Sequence, residues 1–274
     1  MFHRTRHAHG RKRLWLLLFA ALAALLVCLL LLFSRRSAPT NAEAAARVLP
    51  VYGVETDKKV VALTIDAAWG ADKTPEILEI LEEKQVTATF FLVGRWVREF
   101  PEETAMIVAS GHPIGSHSDS HAHFCSLTDA QIQEELDATA EALAAAGAKA
   151  PTLFRAPYGE YDDRVVTKLR SAGYQVIQWT VDTLDWQEDR TVEQVLEVVA
   201  RKAAPGAIIL CHNNANTIAD YLPTLIDNLR AEGYEFVAVE DLLYEGFNID
   251  NNGIQHPEPA PEPSEPTSNQ PNTR

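Results

Sequence analysis

Five stretches of the chain place a side chain capable of chemistry where a buried strand would continue apolar. They are Asp66 in "LTIDAAWG", His117 and His121 in "GSHSDSH", Arg155 in "FRAPYGEYD", Asp182 and Asp185 in "WTVDTLDW", and His212 in "ILCH". Histidines four apart can aim both imidazoles the same way, and neutral imidazole is the commonest metal ligand. The plainer reading of that pair is two solvated surface histidines. A carboxylate at one strand end can act as general base and a histidine at another as general acid. With a metal-polarised carbonyl or water, this is the equipment for hydrolysing an amide or ester. Arg155 would hold Asp66 ionised, or the two form an ordinary buried ion pair. Asp185 or Asp182 would orient His212 and raise its pKa. Tyr158 and Trp186 read equally as walls of a binding groove and as core, whereas Trp96 and Trp179 read as core. Cys211 lies between Leu210 and His212 in a strand, so it faces away from His212 and is not read as a nucleophile.

These side chains need elements to bring them together. Short β-branched or aromatic runs occur at "VVALTID", "ATFFLV", "HPIGSH", "TLFRA", "YQVIQWTV", "AIILCH" and "YEFVAV". Helical patterns separate them: "TPEILEILEEK", "LTDAQIQEELDATAEALAAAG" with Thr128 as N-cap and Gly147 as stop, "DDRVVTKLRSAG", "TVEQVLEVVARKA" and "ADYLPTLIDNLRAEG". Seven alternations predict an α/β fold with parallel strands and crossover helices. A barrel of seven or eight strands is the first expectation and a doubly wound open sheet the second. In either, the carboxyl ends of the strands share one face, which gathers residues distant in sequence.

The net charge of −14 hides a split. Residues 1–36 carry seven Lys or Arg and no acid, so the remainder sums to −21. A body this acidic argues against nucleic acid as a partner. Residues 1–13 form a basic head before twenty apolar residues, 14–33, enough to span a bilayer as a helix. The bias of basic residues places the N-terminus in the cytoplasm and the body outside the membrane. A cleaved signal peptide is the competing reading, but its apolar region is typically about 7–15 residues. Residues 34–49 read as a spacer, 50–248 as the folded body, and 249–274 as a disordered tail, with six of the fifteen prolines from His256 onward. Cys125 and Cys211 read as free thiols or as a single disulfide.

The ordered set resembles the polysaccharide deacetylases of the NodB-homology type, carbohydrate esterase family 4. That family runs Thr-Phe-Asp-Asp-Gly, His-Ser/Thr-x-x-x-His or a close variant, Arg-x-Pro-Tyr/Phe, Asp-x-x-Asp-Trp and Leu-x-His. Here "TIDAAWG", "HSDSH", "RAPY", "DTLDW" and "LCH" follow in the same order across about residues 58–245. The resemblance implies a distorted (β/α) barrel that removes N-acetyl groups from amino sugars in chitin or peptidoglycan, or O-acetyl groups from xylan; with a membrane anchor and an exported body, the expected substrate is peptidoglycan-type glycan. It implies Asp66 as base, Arg155 as the group that steadies it, His212 as acid and Asp185 as the group that tunes it. Pro157, Tyr158, Trp186 and Leu210 would shape the substrate groove. His117 and His121 would hold a divalent metal (zinc, cobalt or manganese). The "D-x-x-W-G" form is similar to that of a sporulation-associated branch. One position departs: Ala67 stands where the family has its third metal ligand. Asp119 or His123 would then have to replace it, or water and substrate complete a weak site, or the metal is absent. The last case leaves a weakened enzyme or an inactive glycan-binding wall protein.

Overall fold

The computed structural model describes residues 47–258, together with Leu25. The proposed head, anchor and spacer therefore lie almost wholly outside the described residues, as does the tail after Glu258. Among the described residues no helix is long and apolar enough to cross a membrane.

The strands are β1 (Gly53–Val54), β2 (Val60–Ala67), β3 (Thr89–Leu92), β4 (Ile114–Ser116), β5 (Leu153–Phe154), β6 (Gln175–Val176), β7 (Val181–Asp182), β8 (Ala207–His212), β9 (Glu235–Val237), β10 (Phe247–Ile249) and β11 (Ile254–Pro257). The helices are α1 (Thr74–Glu83), α2 (Gly94–Glu99), α3 (Pro101–Ala109), α4 (Asp129–Ala145), α5 (Asp163–Ser171), α6 (Val192–Lys202), α7 (Ile218–Ala231) and α8 (Val239–Leu242). β2 through β6 pair in parallel in sequence order. The run from β6 into β7 then pairs in parallel with β8, and β8 with β2. Val51 bridges to Ile177 where that run is interrupted. The result is a curled, distorted (β/α) barrel, the first of the two architectures expected.

Period-2 alternation sorts the two faces of each strand. On β2, Val61, Leu63 and Ile65 join the large apolar cluster shared with α1, α6 and α7, and on β8 Ala207, Ile209 and Cys211 do so. The opposite set begins with Ala62, Phe91, Leu153 and Ile208, which pack with Val239 and Leu242 of α8. One step further along β2 and β8, the same face carries Thr64, Asp66, Leu210 and His212. The barrel interior is thus apolar at one end and polar at the carboxyl end.

Local signals agree with this order. Thr128 and Gln131 form a capping box that starts α4, and Thr191 and Gln194 do the same for α6. Residues 94–109, which the sequence reading left unassigned, form α2 and α3, with Pro101 opening α3 as its first residue. One feature departs from that reading. The folded body does not stop at 248. Asp250 accepts the N–H groups of Asn252 and Ile254 in a tight turn, and β11 returns to pair with β10 and β1. Residues 249–258 are therefore ordered, which corrects the expected start of a disordered tail. Cys125 and Cys211 are both free thiols.

Candidate active site

Register alone places the two acid–base candidates side by side, since Asp66 and His212 are direct partners on neighbouring parallel strands. Asp66 is 4% exposed. Its Oδ1 accepts a hydrogen bond from Arg155 Nη1 at 2.6 Å. Arg155 is wholly buried and also donates to Thr64 Oγ1 (2.9 Å) and to the Gln178 carbonyl (3.2 Å). Its guanidinium carbon lies 4.1 Å from the centre of the Phe91 ring. Gly115 makes room for that ring, because a Cβ there would come within 2.6 Å of it. Burial pushes the Asp66 carboxyl up, but the Arg155 guanidinium, with His117 and His212, outweighs it and holds the pKa below the ordinary carboxylate range.

His212 closes β8. Its Nδ1–H donates to Asp185 Oδ1 at 2.8 Å, and its backbone N–H donates to Asp185 Oδ2 at 3.0 Å. Tyr221 on α7 donates its hydroxyl to the same Oδ2 at 2.5 Å. Burial pulls the imidazole down, but the bond and charge of Asp185, helped by Asp66 and Asp182, leave its pKa above the usual value. Asp185 is thus the partner of His212. Asp182 instead accepts the Leu184 N–H, forming the turn that carries Asp185 inward. Tyr221 escaped the sequence reading, since a tyrosine in the apolar stripe of a helix looks like core.

His117 and His121 come together as expected, with ring centres 4.9 Å apart. His117 Nδ1–H donates to the Arg155 carbonyl at 2.8 Å, which leaves Nε2 bare and 3.5 Å from Asp66 Oδ2. Burial lowers the His117 pKa and takes that of His121 to about 3, so both rings are neutral near pH 7. His121 Nδ1 is buried with no partner. Bare imidazole nitrogens suit a metal, but the third ligand is absent. Ala67 is fully buried in the apolar cluster, and Ala68 is the neighbour that lines the groove. Asp119 gives both carboxylate oxygens to Arg98, and His123 pairs with Glu160 and stacks on Tyr158. Neither replaces the missing ligand. Among the described residues no group of three His, Cys, Asp or Glu is placed to hold a metal ion, so the donor set does not fit a firmly bound metal.

A groove of about 680 Å³ opens over these residues. Leu210 lines it, as do Tyr158 and Trp186, which are 57% and 58% exposed and therefore wall rather than core. Trp69, 49% exposed with its ring 4.6 Å from that of His121, joins them and was not anticipated. Trp96 is core as expected, whereas Trp179 lines the groove. Strain marks the same loops. Among the described residues, five that are not glycine have φ in the left-handed region, and four of them, Ser118, His121, Tyr158 and Leu184, lie in the site loops. Each such residue costs about 1–3 kcal/mol, and such strain concentrates at functional sites.

Comparison with known proteins agrees with this geometry. The polysaccharide deacetylase family model matches residues 53–177. The chain is 36% identical over 197 residues to the uncharacterised protein YlxY of Bacillus subtilis, covering 72% of this chain and 61% of that one. It is 32% identical to the peptidoglycan-N-acetylmuramic acid deacetylase PdaA of Bacillus subtilis, covering 71% and 75%. The structure of BA3943 from Bacillus anthracis, a CE4 family pseudoenzyme, superposes with a TM-score of 0.68 at 34% identity over 76% of this chain and 72% of that one. A mutant of BA3943 "with restored enzymatic activity" superposes at 0.69 with 38% identity over 72% of each chain. With its fold, its ordered strand-end residues and these matches in agreement, the chain belongs to the polysaccharide deacetylase family.

Proposed function

We propose that the chain is a membrane-anchored, exported cell-wall protein that hydrolyses N-acetyl groups on amino-sugar glycan of the peptidoglycan type. The observation that carries the reading is the neighbouring pair Asp66 and His212 at the floor of one groove, the carboxyl pKa held down by Arg155 and the imidazole pKa raised by Asp185. Asp66 takes a proton from water as its oxygen adds to the acetyl carbonyl. His212 Nε2 gives a proton to the departing nitrogen as the C–N bond breaks, and acetate and a free amine leave. Arg155 keeps Asp66 charged until water arrives, and Asp185 with Tyr221 holds the His212 ring. The name of PdaA supports the substrate class. The apolar segment 14–33 behind its basic head supports anchoring and export, and "DAAWG" supports a role in sporulation.

A second reading is favoured by one observation: Ala67 leaves the histidine pair without a third ligand, and BA3943 is a pseudoenzyme. In that reading the groove binds glycan without turning it over. The two are separated by measuring bound zinc, cobalt and manganese, and acetate release from peptidoglycan and chitin oligomers. Wild type is compared with Asp66→Asn, Ala67→Asp and Ala68→Asp. Acetate release by wild type that disappears in Asp66→Asn establishes hydrolysis. No release from wild type with any metal, alongside release from either aspartate variant and retained binding of the glycan by wild type, establishes the binding reading.

A further inference from the structure

The chemistry proposed above works on the groove floor and leaves Trp69 without a task. This residue lies beyond the end of β2, and its indole is half exposed on the groove. Its loop is shaped by other groups. Gly70, with φ of 57°, gives its carbonyl to the Trp96 indole N–H at 2.6 Å and to the Asn213 side-chain amide at 2.7 Å. Lys73 Nζ donates to the Asn216 carbonyl at 2.9 Å. These bonds tie the loop after β2 to the loop after β8 and hold both backbones without using the Trp69 ring.

The same joint sets a second side chain beside Trp69. A Cβ built on Gly70 would stand 3.6 Å from the Asn214 Cβ, and Asn214 is exposed and lines the groove with Trp69. Apart from Asp66 and His212 at the floor, among the described residues neither loop puts a titratable side chain into the groove. This rim therefore offers one broad apolar ring and one amide that both donates and accepts. A sugar matches that pair, because its ring carries C–H groups on its faces and hydroxyls at its edge. The rim is also set apart from the reacting groups. The Trp69 ring meets that of His121 at 4.6 Å, His121 meets His117 at 4.9 Å, and His117 in turn lies 3.5 Å from Asp66. A groove of about 680 Å³ is of the size that takes a drug-sized ligand, which is more than one sugar ring.

We propose that Trp69 and Asn214 form a remote sugar subsite, the indole stacking on and the amide hydrogen-bonding to an uncharged sugar further along the glycan than the one over Asp66 and His212. The groove thus recognises a run of sugars rather than a single one, and Trp69 sets its preference for length. This rests on the glycan reading above and specifies the ligand within it.

The test is calorimetric titration of the full chain, in mild detergent with a metal chelator, with the dimer and the tetramer of N-acetylglucosamine. Wild type is expected to bind the tetramer about tenfold tighter than the dimer, the scale of one well-packed aromatic contact. Trp69→Ala should lower tetramer affinity about tenfold and dimer affinity less than about twofold. Trp69→Tyr should recover most of the loss, and Asn214→Ala should weaken the tetramer alone, by about threefold. Equal affinity of wild type for the two ligands overturns the proposal while sparing the glycan reading. So does a Trp69→Ala loss that is equal for both ligands, no loss at all, or no recovery in Trp69→Tyr. Where Trp69→Ala also lowers the urea midpoint, the Trp69 indole N–H signal of wild type decides by NMR. A shift with tetramer that exceeds the shift with dimer supports the subsite, and an equal or absent shift overturns it. Binding of neither ligand to wild type overturns both readings together.

Discussion

The two sides of the groove floor are built to different standards. On one side Asp66, Arg155, His212, Asp185 and Tyr221 form a set in which the carboxylates and the imidazole have found partners in the protein. On the other, His117 has one bare nitrogen, His121 has a buried nitrogen with no partner, and Ala67 is packed among apolar side chains. Breaking a buried ion pair by removing one member leaves an uncompensated charge and destabilises the fold strongly. An alanine at a strand end facing apolar neighbours leaves nothing uncompensated. The Asp66–Arg155 side is therefore tied to the stability of the barrel, while the histidine side can vary without loosening it.

That contrast breaks most visibly at Arg155. Arg155→Leu strands the buried Asp66 carboxylate and should cost about 3–5 kcal/mol in urea unfolding, whereas His121→Ala should cost about 1 kcal/mol or less. Equal costs would remove the distinction. Gly115→Ala pushes on Phe91 beneath the guanidinium and should cost about 1–3 kcal/mol by overpacking, again read by urea unfolding. Tyr221→Phe removes one of three donors to Asp185 and should cost about 1 kcal/mol, while the His212 ring stays in place. Asp185→Asn is read not by unfolding but by NMR titration of the His212 ring. The folded pKa is raised in the wild type, so its stabilisation is present below about pH 6.5, the unfolded value, and fades as pH rises through the folded pKa. In the variant the ring should titrate at lower pH, and this pH-dependent stabilisation should shrink.

Much of the first side was legible in the sequence, because strand-end residues on parallel strands converge whatever lies between them. Asp66, Arg155, Asp185 and His212 all arrive where the strand order sends them. Tyr221 was not legible, since its role depends on which face of α7 meets β8. Trp69 was hidden for a related reason: it lies beyond the strand end, where alternation no longer assigns a face. The candidates Asp119 and His123 were plausible by proximity in sequence and failed because Arg98 and Glu160 had already engaged them. The hairpin of β10 and β11 was missed because "FNIDNNGIQHP" is poor in apolar residues, and its order comes from backbone pairing to β1 and from the Asp250 turn.

The left-handed residues have a consequence for binding kinetics. Ser118, His121, Tyr158 and Leu184 hold their loops in backbone conformations that a mobile segment would rapidly abandon, so their shape is fixed by folding rather than by the arriving ligand. A ligand entering such a groove meets walls that need little ordering, and its association is governed by encounter and orientation instead of loop closure.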